Sequence, residues 1–166
     1  MRTLPILLSI LALGVLATPR GAEAQVQIGP TLAYHDDFDV GVGGTLNVQM
    51  PALGDRIGFM ADVLVFFPDM ENLNYLEFNG NVTYDFPVTN ENVRPFALVG
   101  LNVARVSVDA PGGIDGGDNT EIGLNLGGGI GFDLGALRPT VGARLEISGG
   151  EGFVLFLSVP FEVGSS

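Results

Sequence analysis

From residue 26 onward, apolar and polar positions alternate with a period of two, and helical spacing is hard to find. Residues 76–86 are the clearest case. Leu76, Phe78, Gly80, Val82, Tyr84 and Phe86 fall on one side, and Glu77, Asn79, Asn81, Thr83 and Asp85 on the other. Successive side chains of a strand point to opposite faces, so such a segment has one greasy face and one wet one. The same rule marks seven more strands, at 26–34, 40–50, 57–67, 94–108, 121–134, 138–148 and 153–163. In 57–67 the second face is polar only at Asp62, near the middle. In 94–108 Arg105 falls in line with Ala97, Val99, Leu101 and Val103, unless a bulge changes the phase and brings Val106 and Val108 to that face. Strands of about 9–12 residues are long enough to cross a bilayer when tilted.

Alternation alone leaves open whether the apolar rows meet lipid outside or one another inside. Composition decides it. Only 16% of residues are charged, against about 25–35% on an ordinary soluble surface, and 25 are glycine. The polar rows carry Gly, Asn, Thr and a few charges of both signs. Glycine is a poor strand former in water but suits the narrow interior of an eight-stranded barrel. In seven of the eight strands the apolar row holds no charge, as contact with hydrocarbon demands. The expected fold is therefore all-β, a closed antiparallel up-and-down eight-stranded transmembrane β-barrel. Closure follows because an open edge in lipid would leave backbone groups unpaired. The alternative is a soluble, lipocalin-like barrel with the greasy rows inward, carrying a hydrophobic ligand.

The connections at 51–55, 87–92 and 135–136 are compact, whereas 109–119 is long and rich in glycine and aspartate. Membrane barrels place short turns in the periplasm and longer loops outside, which puts 109–119 outside with smaller loops around His35, Met70 and Gly150. Residues 1–24 are expected to be a cleaved signal peptide: Arg2, an apolar run over 4–16, and Ala22-Glu23-Ala24 before Gln25. That run is short and broken by Pro5, Gly14 and Pro19, unlike a spanning helix. Residues 25–166 then form one barrel domain. There are no cysteines, which excludes disulfides and thiolate chemistry. The chain carries a net charge of −12, or −13 once Arg2, Arg20 and Glu23 are gone, and has no lysine, so nucleic acid is not a partner.

With eight alternating strands and two strand openings, Arg94-Pro95-Phe96 and Arg138-Pro139-Thr140, residues 25–163 resemble the small outer-membrane β-barrel proteins, similar to the barrel domains of outer-membrane proteins A, X and W. The chain departs from that family in having no Trp and in ending Phe161-Glu162-Val163-Gly164-Ser165-Ser166 rather than on an aromatic residue. The resemblance implies residence in a Gram-negative outer membrane and a structural or surface-interaction role without catalysis. It also implies contact with membrane lipid and lipopolysaccharide, dependence on the barrel-assembly machinery during insertion, and a monomer. The alternative function is binding or transport of a small molecule or ion through the lumen. No cofactor is implied.

Several inward positions carry candidate chemistry. At the lower end Arg138 is expected beside Asp133 and Glu162. Higher up, Arg144 has Glu146 on its own strand and Asp62, Glu77 and Glu121 around the lumen. Buried charges need partners, so these residues are expected to form a lumen ion-pair network, either a static plug or a gate that opens when pairs exchange. Acids outnumber bases there, which implies that some carboxylates are protonated or reached by water and that a cation would be preferred over an anion. Leu64, Phe66, Val154 and Phe156 point inward near the outer end, where they either pack the lumen or line a shallow apolar pocket. His35 stands among Asp36, Asp37 and Asp39 and is read as a solvated loop histidine. Ser107 and Ser148 lie on other strands with no catalytic motif around them. Asp109, Asp115, Asp118, Asn119 and Glu121 offer oxygen ligands, making Asp115, Asp118 and Asn119 a weak calcium candidate that would bridge to lipopolysaccharide phosphates. No other metal site is expected.

Overall fold

The alternating segments pair in chain order into one antiparallel sheet that closes on itself. The computed structural model describes residues 25–68, 73–108, 118–147 and 151–163. The signal segment, Asp109, Asp115, Ser148 and the loop residues Met70 and Gly150 lie outside them. The strands are β1 (Val26–His35), β2 (Asp39–Gln49), β3 (Ile57–Phe66), β4 (Leu73–Asp85), β5 (Val93–Val108), β6 (Asp118–Phe132), β7 (Thr140–Ile147), β8 (Glu151–Ser158) and β9 (Phe161–Val163). β1 pairs with β2 on one side and with β8 and β9 on the other, which closes the barrel.

β8 and β9 are two halves of one barrel strand. Both keep the same register on β1, with Thr31 opposite Ser158 and Ile28 opposite Phe161. The ladder is interrupted at Val159-Pro160 because proline has no N–H to donate. The Val159 N–H still donates to the Pro30 carbonyl at 3.0 Å. Gly29 permits this close seam, since a Cβ there would stand 2.5 Å from the Pro160 Cα.

Following paired residues once round the barrel from Val26 leads through Val48, Phe59, Val82, Val99, Leu126, Leu145 and Phe153 to Asp36, ten positions further along the chain. That stagger is what tilts strands in a closed barrel. The path from Val26 to Phe153 is wholly apolar, so the tilt lays these side chains into a continuous outer belt.

Most large side chains of the outward rows are exposed, up to 71% at Ile122, while Glu77 and Arg144 inside are 0% and 2% exposed. A soluble barrel with a greasy interior has the opposite arrangement and is excluded. β5 runs opposite β4 and β6 without a bulge, Arg105 facing Leu76 and Thr120, so Arg105 stays on the exposed outer face in line with Leu101 and Val103.

Loop lengths depart from expectation. The connections at the end bearing both termini, 50–56, 86–92 and 133–139, have seven residues each, whereas β1–β2 and β7–β8 are joined by three. The first short turn is made by Asp39 in the left-handed conformation (φ 60°), which aspartate tolerates better than most residues. β7 begins at Thr140, leaving Arg138 and Pro139 in the preceding turn.

Candidate functional site

The lumen is filled in three layers. At its middle, β7 delivers Arg144 and Glu146 to the interior two residues apart, and β3 and β4 bring Asp62 and Glu77 to face them. The Arg144 guanidinium donates from Nε to Glu146 Oε1 at 2.8 Å, from Nη1 to both Asp62 oxygens at 3.2 Å, and from Nη2 to Glu77 Oε1 at 2.7 Å. Its planar fork thus makes four hydrogen bonds to three carboxylates, one more than the three N–H groups of a lysine could supply. Amides complete the layer. Asn79 Nδ2 donates to Asp62 Oδ1 at 2.8 Å and Glu77 Oε1 at 2.5 Å, and Asn102 Nδ2 to Glu146 Oε2 at 3.0 Å. Asn125 Nδ2 donates to the Asn79 and Asn81 side-chain oxygens at 2.7 and 2.9 Å. Every member of the layer is buried.

Above this layer, toward the β1–β2 turn, the lumen is apolar and aromatic. His35 ends β1 pointing inward, its ring edge-on to Phe38, Phe66 and Tyr75 at centroid distances of 4.8–5.8 Å. Phe38 stacks on Tyr75 at 3.9 Å. The expectation of a solvated histidine is corrected: His35 is 3% exposed, because its odd position on β1 belongs to the inward row with Ala33 and Thr31. Its Nδ1 accepts from the Asp37 N–H at 3.0 Å, which leaves the ring proton on Nε2, 3.8 Å from Glu146 Oε2. Leu64, Phe66, Val154 and Phe156 are all buried, with Leu64 and Val154 fully so. They leave no room for a ligand beside them, so they pack the lumen rather than line an open pocket. Phe156 lies flat against the wall because Gly142 has no side chain; a Cβ there would come within 2.9 Å of its Cε1. Standing opposite Gly142, two residues nearer the termini than Arg144 on β7, Phe156 belongs to the other side of the charged layer, its ring 5.9 Å from the Arg144 guanidinium carbon and within cation–π range.

The end bearing the termini is wetter. A cavity of about 60 Å³ opens there, lined among others by Gln27, Asn47, Gln49, Thr83, Arg94 and Arg138. Arg94 pairs with Asp85 at 2.6 Å and Arg138 with Asp133 at 3.6 Å. Gln27 turns its amide oxygen to accept from Arg138 Nη1 at 2.7 Å and Nε at 3.2 Å. Sequence reasoning passed over Arg94 as a lumen residue, although its even position in β5 already placed it on the inward row with Phe96 and Leu98.

Two members of the expected network stand apart. Glu162 lies opposite Gln27 on the seam and forms no ion pair with Arg138 among the described residues, its place being taken by Gln27. Glu121, nearer the far rim, accepts from Asn119 Nδ2 at 2.9 Å at the surface, too high on β6 to join Arg144. Asn119, one of the calcium candidates, makes that bond with its amide nitrogen; Asp118 opens β6, and Asp115 is outside the described residues. His35, Asp36 and Asp37 approach one another closely, but Nδ1 is taken by the Asp37 N–H, and Asp36 Oδ1 accepts from the Phe153 N–H at 2.9 Å.

No protein-family model matches the sequence, and no curated protein matches it significantly. Solved structures do. The chain is similar to the N-terminal β-barrel domain of OprF from Pseudomonas aeruginosa (13% identity, 84% of this chain and 97% of that one, TM-score 0.68). It is similar also to Ail, the attachment invasion locus protein of Yersinia pestis (12%, 84% and 97%, 0.62), and to neisserial surface protein A (17%, 86% and 98%, 0.61). Across the length of each match the closed eight-stranded antiparallel barrel is the same fold.

Proposed function

We propose that this chain is an integral, monomeric barrel of the bacterial outer membrane whose role is structural or surface interaction, without catalysis and with a closed lumen. The observation that carries the reading is the inversion of polarity. A continuous apolar belt faces outward, and in the middle of the lumen Arg144 is buried among three carboxylates. Hydrocarbon is the surroundings that such a belt fits, so acyl chains are its ordinary neighbours, with lipopolysaccharide beyond the rim and the assembly machinery as partner during insertion. The non-catalytic reading rests on His35, whose ring is packed among aromatics between Asp36 Oδ1 at 3.2 Å and Glu146 Oε2 at 3.8 Å, with no serine in contact with it among the described residues. The lumen network is read as a static plug, since each hydrogen-bonding nitrogen of Arg144 is engaged.

Refolding into detergent micelles tests the reading. Residues 25–166 should run faster on a gel unheated than boiled, and the folded protein should give no unitary conductance in a planar bilayer. A monodisperse folded protein without detergent would refute membrane residence. Steady single-channel currents would refute the plug and favour passage of small cations.

A further inference from the structure

The middle layer of the lumen is short of positive charge. Arg144 is its one cation, against Asp62, Glu77 and Glu146, so the layer holds two formal negative charges too many if all three acids are ionised. Its hydrogen bonding is short in the same sense. The buried side-chain atoms without a partner here are Glu77 Oε2, Asn102 Oδ1 and Asn125 Oδ1, all acceptors. The amides of the layer point elsewhere: both Asn79 amide hydrogens go to Asp62 and Glu77 Oε1, Asn102 donates to Glu146, and Asn125 donates to Asn79 and Asn81. The carboxyl groups of Glu77 and Glu146 lie within hydrogen-bonding reach of each other with no donor between them. Two carboxylates cannot hydrogen-bond until one is protonated, and like charges in contact in a low-dielectric interior resist joint ionisation.

We propose that Glu77 and Glu146 share one proton, making the middle of the lumen a proton-binding site that is occupied in the folded barrel. The proton sits on Glu77 Oε2 and is donated to the Glu146 carboxylate, which keeps its bonds from Arg144 Nε and Asn102 Nδ2. One addition supplies the missing donor and removes one of the two surplus charges. A metal cation would answer the charge, but it needs space and several oxygens at once; Glu77 is 0% exposed and its neighbours are buried, so there is no water-sized gap to hold one. A proton needs none. The groups facing the pair are His35 from β1, Asp62 from β3, Tyr75 from β4 and Arg144 from β7. Of these His35 is already committed through Nδ1 to the Asp37 N–H, so its Nε2 is the nearest group able to pass a proton to Glu146.

Proton counting and infrared spectroscopy on residues 25–166 test this. Folding the urea-unfolded chain into detergent at pH 7 in weak buffer should take up about one proton more per barrel in the wild type than in Glu77→Gln. The folded wild type should show the C=O stretch of one protonated carboxyl, shifted in deuterium oxide and lost in both Glu77→Gln and Glu146→Gln. The wild-type measurements stand even if a variant fails to fold. No uptake and no protonated-carboxyl band would overturn the proposal. So would uptake that disappears when sodium or calcium is present, because a metal ion would then be the occupant.

Discussion

Arg144 and Arg94 make the same bond in two different media. Each guanidinium meets a carboxylate at 2.6–2.7 Å. The Arg144 side chain is 1% exposed and its partner Glu77 0%, whereas Arg94 and Asp85 keep 30% and 20% of theirs. Coulomb attraction at such distances grows severalfold as the effective dielectric falls, and so does the penalty for leaving either partner alone. Ion pairs of equal geometry in this barrel are therefore unequal in consequence: the middle layer fixes the lumen, and the pair at the open end decorates it. The largest expected effect follows at Arg144. Arg144→Met removes the charge while nearly keeping the volume, leaving three buried acids without a cation, and should cost about 3–5 kcal/mol. Urea unfolding followed by gel mobility or circular dichroism reads this directly. A midpoint equal to wild type would mean that water already reaches the layer.

The comparison sharpens if the apolar layer above is cut as well, since packing rather than charge holds it. Leu64 is fully buried, and Leu64→Ala should cost about 2–5 kcal/mol through lost contacts and the cavity left behind. Unlike the Arg144 effect, it should not change with pH. Gly142→Ala comes next at about 1–3 kcal/mol, because the added methyl meets the Phe156 ring and forces it inward against its neighbours. Pairing Gly142→Ala with Phe156→Leu should recover much of that loss; failure to recover would place the clash on the backbone of β6 instead, where Gly128 O also lies near.

How much of this was legible in the sequence depends on which interaction decided each feature. Period-two alternation is a local signal, and it located all eight barrel strands and assigned Asp62, Glu77, Arg144 and Glu146 to the inside. What it lacks is height. Glu121 and Glu162 alternate correctly, yet the ten-residue stagger sets Glu121 near the far rim, away from Arg144, and at the seam it brings Gln27 to the Arg138 guanidinium in place of Glu162. That stagger is a sum of seven pairings and a closure, none of them visible in any single segment. His35 was misread for a related reason. A histidine followed by acids suggests a wet loop, and only the three-residue turn, with Asp39 at φ 60°, extends β1 far enough to carry the ring inside. Arg94 was missed as a lumen residue because the Arg-Pro opening drew attention to its place in the chain rather than to its face.

The smallest expected effect is the one that most sharply divides the two arginines. Arg94→Gln retains a polar side chain over the open cavity and leaves Asp85 where water reaches it, so the loss should be about 0–1 kcal/mol, the ordinary worth of an exposed ion pair. Salt separates the cases further than magnitude does. Exposed charges are largely screened near molar ionic strength, where the Debye length is about 3 Å, while a buried pair is screened far less. Unfolding midpoints taken at low and at about 1 M salt should therefore converge for wild type and Arg94→Gln but stay apart for wild type and Arg144→Met. If the Arg94 difference persists undiminished in high salt, the open end is drier than its exposure indicates, and the contrast between the two arginines is one of position rather than of medium.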